Sequence, residues 1–490
     1  MQYFYPSDLP ITSSIDEIST LIKENQVVII AGDTGSGKTT QLPKICLETF
    51  SDYQPVIGCT QPRRVAATSV AARVREELGS DNDLVGCKIR FLDQTSSATK
   101  IKFMTDGVLL AETRQDPLLK KYDIIIVDEA HERSLNIDFL IGYLKNLITK
   151  RDDLKLIITS ATIDTQLFSH HFSNAPIFEI EGRGFPVDII YKAIEEQDIT
   201  SSFLEHAIEL VSEITTQWPP GDILLFMPTE KDIRTTVEIL NGRLAHHSVL
   251  PLFGRLQFSD QQKIFKQGSG YKVIVATNVA ETSVTVPGIS YVVDTGLARI
   301  SSYNPRSRTT GLPVTRISQA SCNQRAGRCG RIGPGTCFRM FSAEDFEKRP
   351  EFTVPEIKRS NLADVLLQMA SLNLGNPLDF PFLEPPSPAS VREGFRLLEE
   401  LGAMSGNRKL TRDGRLMARL PIDPLISRII IEASRKNCLS EVTIIAAALA
   451  IQDPKIRPAD QEGRADEAHK VFAHPHSDFM SLLSIWNDFH

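Results

Sequence analysis

The chain has 490 residues, 41% of them hydrophobic and 23% charged, with a formal net charge of −7. That length exceeds what one hydrophobic core serves and points to about three domains, and the balance excludes a disordered, fibrous or membrane-embedded chain. No apolar run approaches the roughly 18 residues needed to span a bilayer, and the negative net charge argues at first against a polyanionic partner.

In chain order, Val27-Val28-Ile29-Ile30-Ala31 predicts a buried strand. Gly32-Asp33-Thr34-Gly35-Ser36-Gly37-Lys38-Thr39 follows, and Thr40-Gln41-Leu42-Pro43-Lys44-Ile45 predicts a helix with Pro43 in its first turn. Strand, glycine-rich loop and helix form the context in which a G-x4-G-K-[ST] match carries weight. The glycines let backbone N–H groups curl round a phosphate chain at the positive end of the helix. Lys38 is placed to neutralise the outer phosphates and the Thr39 hydroxyl to ligate Mg²⁺. Gly32, Thr34, Gly35, Ser36, Gly37 and Thr40 complete the expected cradle for a nucleoside triphosphate.

Val56-Ile57-Gly58-Cys59 predicts a strand ending in Thr60-Gln61-Pro62-Arg63-Arg64, with an amphipathic helix over 65–78. Lys100-Ile101-Lys102-Phe103-Met104 predicts a strand ending in Thr105-Asp106-Gly107. Polar and basic residues at strand ends lie on the carboxyl edge of a parallel sheet, where ligands bind in open α/β folds. In the window 123–131 the apolar run Ile124-Ile125-Ile126-Val127 then delivers Asp128 and Glu129 to that edge. Asp128 is expected to hold Mg²⁺, directly or through water, and Glu129 to polarise an attacking water. Alone, Asp128-Glu129-Ala130-His131 could be a surface turn; its place after an apolar strand, well downstream of Lys38, argues otherwise. His131 is a weaker candidate for the same site. A further strand over 154–159 ends in Ser160-Ala161-Thr162, whose hydroxyls could relay nucleotide state or merely cap a helix.

Glu181-Gly182-Arg183-Gly184-Phe185-Pro186-Val187 predicts a hinge. Beyond it a second α/β pattern carries strands over 222–227, 271–276 and 291–294, and a helix over 229–240, without a second phosphate loop. From 295 to 343 there is no Asp or Glu but there are eight arginines, 299, 306, 308, 316, 325, 328, 331 and 339, a window that calls for anionic partners. Within it Gln324, Arg328 and Arg331 fall at i, i+4 and i+7, one face of a helix, where they can meet a γ-phosphate and its attacking water as fingers. Past Pro355 the pattern turns helical, with apolar periodicity over 361–372 and 391–401. The first residues lack the basic-then-apolar pattern of a secretory leader. The seven cysteines, with no Cys-x-x-Cys pair, suit reduced thiols, and a cytoplasmic location is expected.

These motifs, in this order, resemble those of the DEAH-box RNA helicases of superfamily 2, with the bacterial HrpA-type group the particular likeness. The resemblance is carried by Gly-Asp-Thr-Gly-Ser-Gly-Lys-Thr-Thr at 32–40, Thr-Gln-Pro-Arg-Arg-Val-Ala-Ala at 60–67 and Thr-Asp-Gly-Val-Leu-Leu at 105–110. Asp-Glu-Ala-His-Glu-Arg at 128–133, Ser-Ala-Thr at 160–162, Ala-Thr-Asn-Val-Ala-Glu-Thr-Ser at 276–283 and Gln-Arg-Ala-Gly-Arg-Cys-Gly-Arg at 324–331 complete it. It implies two tandem RecA-like P-loop NTPase domains, parallel sheets with flanking helices, over 1–181 and 182–350. A winged helix over 351–422, with 410–416 as its wing, and the start of a helical ratchet-like domain over 423–490 are implied next. It also implies ATP as substrate, or any NTP since no aromatic-plus-Gln motif precedes Val27, together with Mg²⁺. Arg73 and Phe265 would sandwich the base, and Arg63, Thr105 and Thr282 would touch RNA phosphates. A β-hairpin between 295 and 318, with its tip near Asn304-Pro305-Arg306-Ser307-Arg308, would prop the nucleic acid. The implied activity is 3′→5′ translocation on single-stranded RNA, or an RNA duplex with an overhang, by a monomer that acts on RNP or ribosome-associated complexes and not on membranes. A DNA or RNA/DNA-hybrid translocase would share every NTPase motif. At His490 the chain stops inside the ratchet-like region, ahead of the OB-fold the family carries next, so either the chain is truncated or its RNA-gripping platform is incomplete.

Overall fold

The computed structural model describes residues 3–33, 35–79, 83–161, 164–182, 184–193, 203–254, 256, 258–265, 270–282, 286–305, 307–331, 333–451, 453, 455 and 462–490, without the side chains of 258, 259, 261, 262, 282 and 462. Thr34, Thr162, Arg183 and Arg306, and the side chain of Thr282, therefore lie outside the described residues. The chain divides into two units, Met1–Ser360 with Pro381–Glu384, and Asn361–Phe380 with Pro385–His490.

Among the described residues the first unit holds two large sheets and two small two-stranded ones. In the first are β1 (Val27–Ala31), β2 (Ile57–Gln61), β3 (Val85–Ile89), β4 (Leu92–Gln94), β5 (Ile101–Thr105), β6 (Ile124–Val127), β7 (Lys155–Ser160) and β8 (Ile177–Glu179). Their spatial order is β4-β3-β5-β2-β6-β7-β1-β8. All neighbours run parallel except the β3–β4 hairpin. Strands such as Val-Val-Ile-Ile-Ala and Ile-Ile-Ile-Val are apolar at every position because helices cover both faces, as a parallel sheet requires. Parallel strands end on one edge, so the segments after β1, β2, β5, β6 and β7 gather there. These are the segments that carry Lys38, Arg63, Asp106, Asp128 and Ala161.

In the second sheet are β9 (Val187–Tyr191), β10 (Asp222–Phe226), β11 (Ser248–Leu252), β12 (Lys272–Ala276) and β13 (Ile289–Asp294). After them come four short strands, β14 (Leu297–Arg299), β15 (Ser302–Asn304), β16 (Thr309–Gly311) and β17 (Val314–Arg316), and then β18 (Gly335–Arg339). The order β11-β12-β10-β13-β18-β9 is parallel throughout. The short strands pair antiparallel, β14 with β17 and β15 with β16, which makes the expected hairpin; Asn304 faces Thr309 across its end. The stretch expected as a hinge is held at both ends. Ile180 N–H donates to the Ala31 carbonyl (2.9 Å) and Phe185 N–H to that of Gly330 (2.8 Å).

Several elements differ from their sequence-based expectation. The phosphate-loop helix spans Lys38–Thr49, so Pro43 lies in its second turn and the Thr39 carbonyl loses its usual i+4 donor. The strands β3, β4, β9, β11 and β18 carry no clear alternation; β18, Gly-Thr-Cys-Phe-Arg, is wholly buried despite its polar residues. In the second unit the helices are Ala363–Ser371, Pro388–Glu400, Arg412–Met417, Pro424–Arg435, Leu439–Ala450, Glu462–Lys470 and Asp478–Phe489. The stretch 410–416, expected as a wing, is thus mostly helix; the one isolated bridge among the described residues is Met404 with Leu410. Thr411 caps that helix through the Gly414 N–H (3.0 Å). A Cβ on Gly414 would fall 1.9 Å from the Ala403 carbonyl oxygen, so only glycine permits the approach. Among the described residues no helix is long and apolar enough to cross a membrane, and all seven cysteines are free.

The arginine window also finds acids that its local sequence lacks. Arg325, 1% exposed, pairs with Glu281 (2.9 Å) and Asp294 (2.7 Å) and stacks over Phe226 at 4.6 Å. Arg339 is buried against Tyr191 and Asn323, and Arg316 pairs with Asp345. Part of the window is therefore internal scaffold. Removing one partner of a buried pair strands the other charge, so Arg325→Met should cost about 3–5 kcal/mol in the free energy of unfolding. A loss under about 1 kcal/mol would show that Glu281 and Asp294 are held by other means.

Candidate active site

The phosphate loop is shaped by what lies behind it. Gly37 has φ 94°, and a Cβ there would sit 2.8 Å from Ile11 Cγ2 and 3.1 Å from Leu9 Cδ1. Glycine is therefore required twice over, by backbone angle and by space. The 3₁₀ segment Pro10–Ser14 anchors the loop, with Ile11 N–H donating to the Ser36 carbonyl (3.1 Å). Lys38 opens the helix and is buried; its Nζ donates to the carbonyls of Gly32 (2.5 Å) and Asp33 (2.9 Å) and to Ser36 Oγ (3.2 Å). Burial lowers its pKa, against the attraction of Glu129, Asp128 and Asp33. Thr39 and Thr40 stand half-buried in the first turn, and Gly35 has φ 95°.

At the end of β6 both carboxylates arrive as expected. Asp128 is buried; its Oδ2 accepts from Gln61 Nε2 (2.5 Å) and its Oδ1 from the Thr159 hydroxyl. Glu129 N–H donates to Asp128 Oδ1 (3.1 Å) and Thr159 Oγ1 (3.2 Å), with the residue in the left-handed region at φ 53°. Burial, and then the neighbouring Asp128, push the Glu129 carboxyl up to about 7. Ala161 N–H donates to His131 Nδ1 (3.1 Å), which leaves the ring proton on Nε2, 3.4 Å from Glu129 Oε2. Burial lowers His131 to about 4, so the ring is neutral at physiological pH. Among the described residues, the hydroxyl that reaches the carboxylates is that of Thr159, one residue ahead of the Ser160-Ala161-Thr162 motif.

Arg328 and Arg331 reach the same place from the second sheet, but not on a helix. The helix Gln319–Ala326 ends at its Gly327 cap, so Gln324 is helical while Arg328 and Arg331 lie in the turn that follows. The one-face expectation is corrected accordingly. Arg328 N–H donates to the Arg325 carbonyl (3.1 Å) and Cys329 N–H to that of Ala326 (3.2 Å), tight bonds that close the last turn. Arg328 is buried and donates to the Glu281 carbonyl. Burial lowers Arg328 to about 9 and Arg331 to about 10, and both are drawn by Glu129 and Asp33 of the first sheet. Both remain cations at neutral pH. Arg331 Nη1 is buried without a hydrogen-bond partner among the described residues. The site is therefore assembled from both sheets.

The other expected residues are more dispersed. Arg73 is 55% exposed and pairs with Glu76 (3.5 Å) and Glu77 (2.8 Å); Phe265, 47% exposed, ends the helix Phe258–Phe265. No cation–π contact among the described residues joins them. Arg63 lies 3.6 Å from Glu132 at the end of β2. Thr105 ends the neighbouring β5, where it pairs with Gln61. Thr282 ends the short helix Val279–Thr282 of the second sheet.

Gln61 and Thr159 were missed as site residues. A polar residue at the last or next-to-last position of an apolar strand is the signal that could have found them. For magnesium, the donors are one buried carboxylate, Asp128, and one hydroxyl, Thr39; among the described residues no group of three or more His, Cys, Asp or Glu could hold a metal. So sparse a set of hard oxygens fits Mg²⁺, which keeps waters and takes phosphate oxygens, rather than a metal caged by protein alone.

Comparison with known families gives three matches: residues 13–168 to the DEAD/DEAH box helicase family, 204–333 to the helicase conserved C-terminal domain, and 423–482 to the ratchet-like helicase associated domain HA2. Among curated relatives, the ATP-dependent RNA helicase HrpA of Escherichia coli (strain K12) is 51% identical over 492 residues, covering 99% of this chain and 38% of the relative. The HrpA homolog of Haemophilus influenzae is 51% identical over 492 residues, covering 98% and 38%. The chain thus spans well under half the length of these relatives.

Glu129 also makes a prediction for stability. Its folded pKa of about 7 stands above the ordinary 4.5, so the folded state holds the proton more tightly than the unfolded state. Stability from this group is full below the lower value and falls as pH rises towards the upper one. In metal-free buffer, Glu129→Gln should therefore raise the unfolding free energy at about pH 8, by at most roughly 3 kcal/mol and with it the thermal midpoint, with the gap closing towards about pH 4.5. An equal midpoint at both pH values would show that the carboxylate is not held at a cost.

Proposed function

We propose, for a chain that belongs to the DEAH-box helicases of the HrpA type, that it is an NTP-dependent RNA helicase whose hydrolysis drives 3′→5′ movement along single-stranded RNA. One observation carries this reading: Glu129 and Lys38 come from one sheet, Arg328 and Arg331 from the other, and they lie within electrostatic reach of one another. A ligand bound among them favours the approach of the two sheets, because its affinity differs between joined and separated states.

In this reading the loop N–H groups and Lys38 bind the triphosphate, with ATP or any other NTP as substrate. Magnesium, held by Thr39 and Asp128, would offset charge on the β- and γ-oxygens. Gln61 and Thr159 orient Asp128. Glu129, ionised, accepts a proton from the attacking water, and His131, neutral, keeps its Nε2–H 3.4 Å from the Glu129 carboxylate. Arg328 and Arg331 stabilise charge on the departing phosphoryl group, and Gln324 orients the water. Arg73 and Phe265 contact the base. Arg63, Thr105 and Thr282 contact RNA phosphates, which positions the strand without reading its sequence. The reading extends to RNP remodelling by a cytoplasmic monomer, and the domain limits are those set out from the sequence.

Two variants test the chemistry. Glu129→Gln should bind NTP within about twofold of the parent and lose at least roughly 100-fold in turnover, since a positioned base contributes about 10²–10⁴. Arg328→Ala should lose a comparable factor in kcat with little change in nucleotide affinity; weakened RNA binding with normal turnover would make it a nucleic-acid contact instead. For the substrate, NTP hydrolysis measured with single-stranded RNA and DNA of equal length and salt, and unwinding of duplexes with 3′ or 5′ overhangs, decide. Greater stimulation by DNA would overturn RNA as substrate, and unwinding only from 5′ overhangs would overturn the polarity.

A further inference from the structure

The turn that carries Glu129 and His131 is gripped from outside by carboxylates that lie beyond the second sheet in sequence. Between Glu129 and Arg133 the chain makes one short 3₁₀ turn, Ala130–Glu132. Non-glycine residues in the left-handed region bracket it, Glu129 at φ 53° and Arg133 at φ 48°. Backbone of this kind persists only where its surroundings over-determine it. At the Glu129 end the hold is local, through Asp128, Thr159 and the bond from Ala161 to His131.

At the Arg133 end a local partner, Asp138, whose two oxygens accept from the guanidinium, is joined by remote ones. The Arg133 guanidinium is buried; Nε donates to Asp138 Oδ1 (2.6 Å), and Nη2 lies 3.1 Å from Glu384 Oε2. Glu356 N–H donates to the Arg133 carbonyl (3.1 Å), and Glu356 Oε2 accepts from Leu135 N–H (2.9 Å). Leu135 begins the helix Leu135–Ile148, whose first N–H groups have no partner within the helix. A carboxylate there also meets the positive end of the helix dipole.

The supplying segment is itself pinned. In the short helix Glu356–Arg359, Ile357 is buried and Arg359 donates to the carbonyls of Ser301, at the base of the hairpin, and Val354 (3.1 Å). Lys358 pairs with Glu384 at 2.5 Å. Arg133, Glu384 and Lys358 thus form one chain of charge.

We infer that Glu356 and Glu384 are positioning residues for hydrolysis, which brace Arg133 and so fix the left-handed turn that aims Glu129. The inference rests on the proposed role of Glu129 as base. The brace acts on the turn after β6. The hydrogen bonds of Lys38 go instead to Gly32, Asp33 and Ser36, so the brace bears on turnover and leaves nucleotide binding alone.

The test is steady-state NTP hydrolysis by the whole chain with Mg²⁺ and single-stranded RNA, for Glu356→Ala, Glu384→Ala and the double variant. Turnover is counted per molecule able to bind a fluorescent NTP analogue, which removes any loss due to unfolded protein. The double variant should lose roughly ten- to a hundredfold in kcat with KM for NTP within about twofold, the scale of a misplaced reacting group. Glu356→Gln, whose side-chain carbonyl can still accept from Leu135 N–H, should recover most of the loss seen in Glu356→Ala. An unchanged kcat in the double variant, or kcat and KM altered together without rescue by Glu356→Gln, overturns the brace. If the alanine variants bind no analogue, Glu384→Gln decides: it keeps shape and removes the charge facing Arg133. A lower kcat at constant KM then supports the brace, and an unchanged kcat overturns it. Glu129→Gln, assayed alongside, separates the two ideas. If it turns over normally, the assignment of the base fails; if it is inert while the Glu356 and Glu384 variants are normal, only the brace fails.

Discussion

Two adjacent carboxylates at the end of one strand, Asp128 buried and Glu129 half-buried, set the main constraint on this structure. Asp128 and Glu129 leave β6 into a region where burial raises the cost of negative charge, and Asp128 raises it further for Glu129. Such a pair needs donors and cations. Gln61 and Thr159, from the strands on either side of β6, supply the donors to Asp128. Lys38, from the loop after β1, and Arg328 and Arg331, from the second sheet, supply the cations. Burial lowers the pKa of all three cations, so positive and negative groups are held near one another at mutual cost. A polyanion with its own metal would change that balance, which is the physical basis for reading the site as one for a triphosphate.

The arginines of the second sheet show how one composition serves two purposes. Arg325 is locked between Glu281 and Asp294, and this pair holds the helix Gln319–Ala326 against the end of β13. With that helix fixed, its termination at Gly327 sets where Arg328 and Arg331 emerge. Scaffold and candidate finger residues thus lie three residues apart and differ in the charges that the fold brings to them. The turn after β6 follows the same logic, since its left-handed ends are held partly by Glu356 and Glu384, far along the chain.

Much of this was legible in the residue order because its signals are local. The run at 27–31, the glycines that follow and Lys38 belong to one continuous stretch, and the apolar strand before Asp128 sends its carboxylates to the same edge. The helix through Arg331 was not legible. Spacing alone allows i, i+4 and i+7 to share a face, whereas Gly327 and the tight bonds to the Arg325 and Ala326 carbonyls end the helix first. The strands β9, β11 and β18 were also hidden, because none carries an alternating pattern: β9 has no buried residue, β11 has two, and β18 is wholly buried despite its polar residues. The wing expected at 410–416 gave way to a helix capped by Thr411, whose close approach to Ala403 depends on Gly414.

What the sequence determined by itself is the kind of chemistry. A phosphate loop, a carboxylate pair and a cluster of arginines are each written within a few residues, and each has a meaning set by covalent geometry and charge. The tertiary structure alone decided which arginines are scaffold and which face the carboxylates. It also decided that Thr159 rather than Ser160 reaches Asp128, and that Glu356 meets the backbone of Arg133 and Leu135. These facts depend on burial and on pairs separated by tens to hundreds of residues, and no local pattern encodes which distant carboxylate will neutralise which cation.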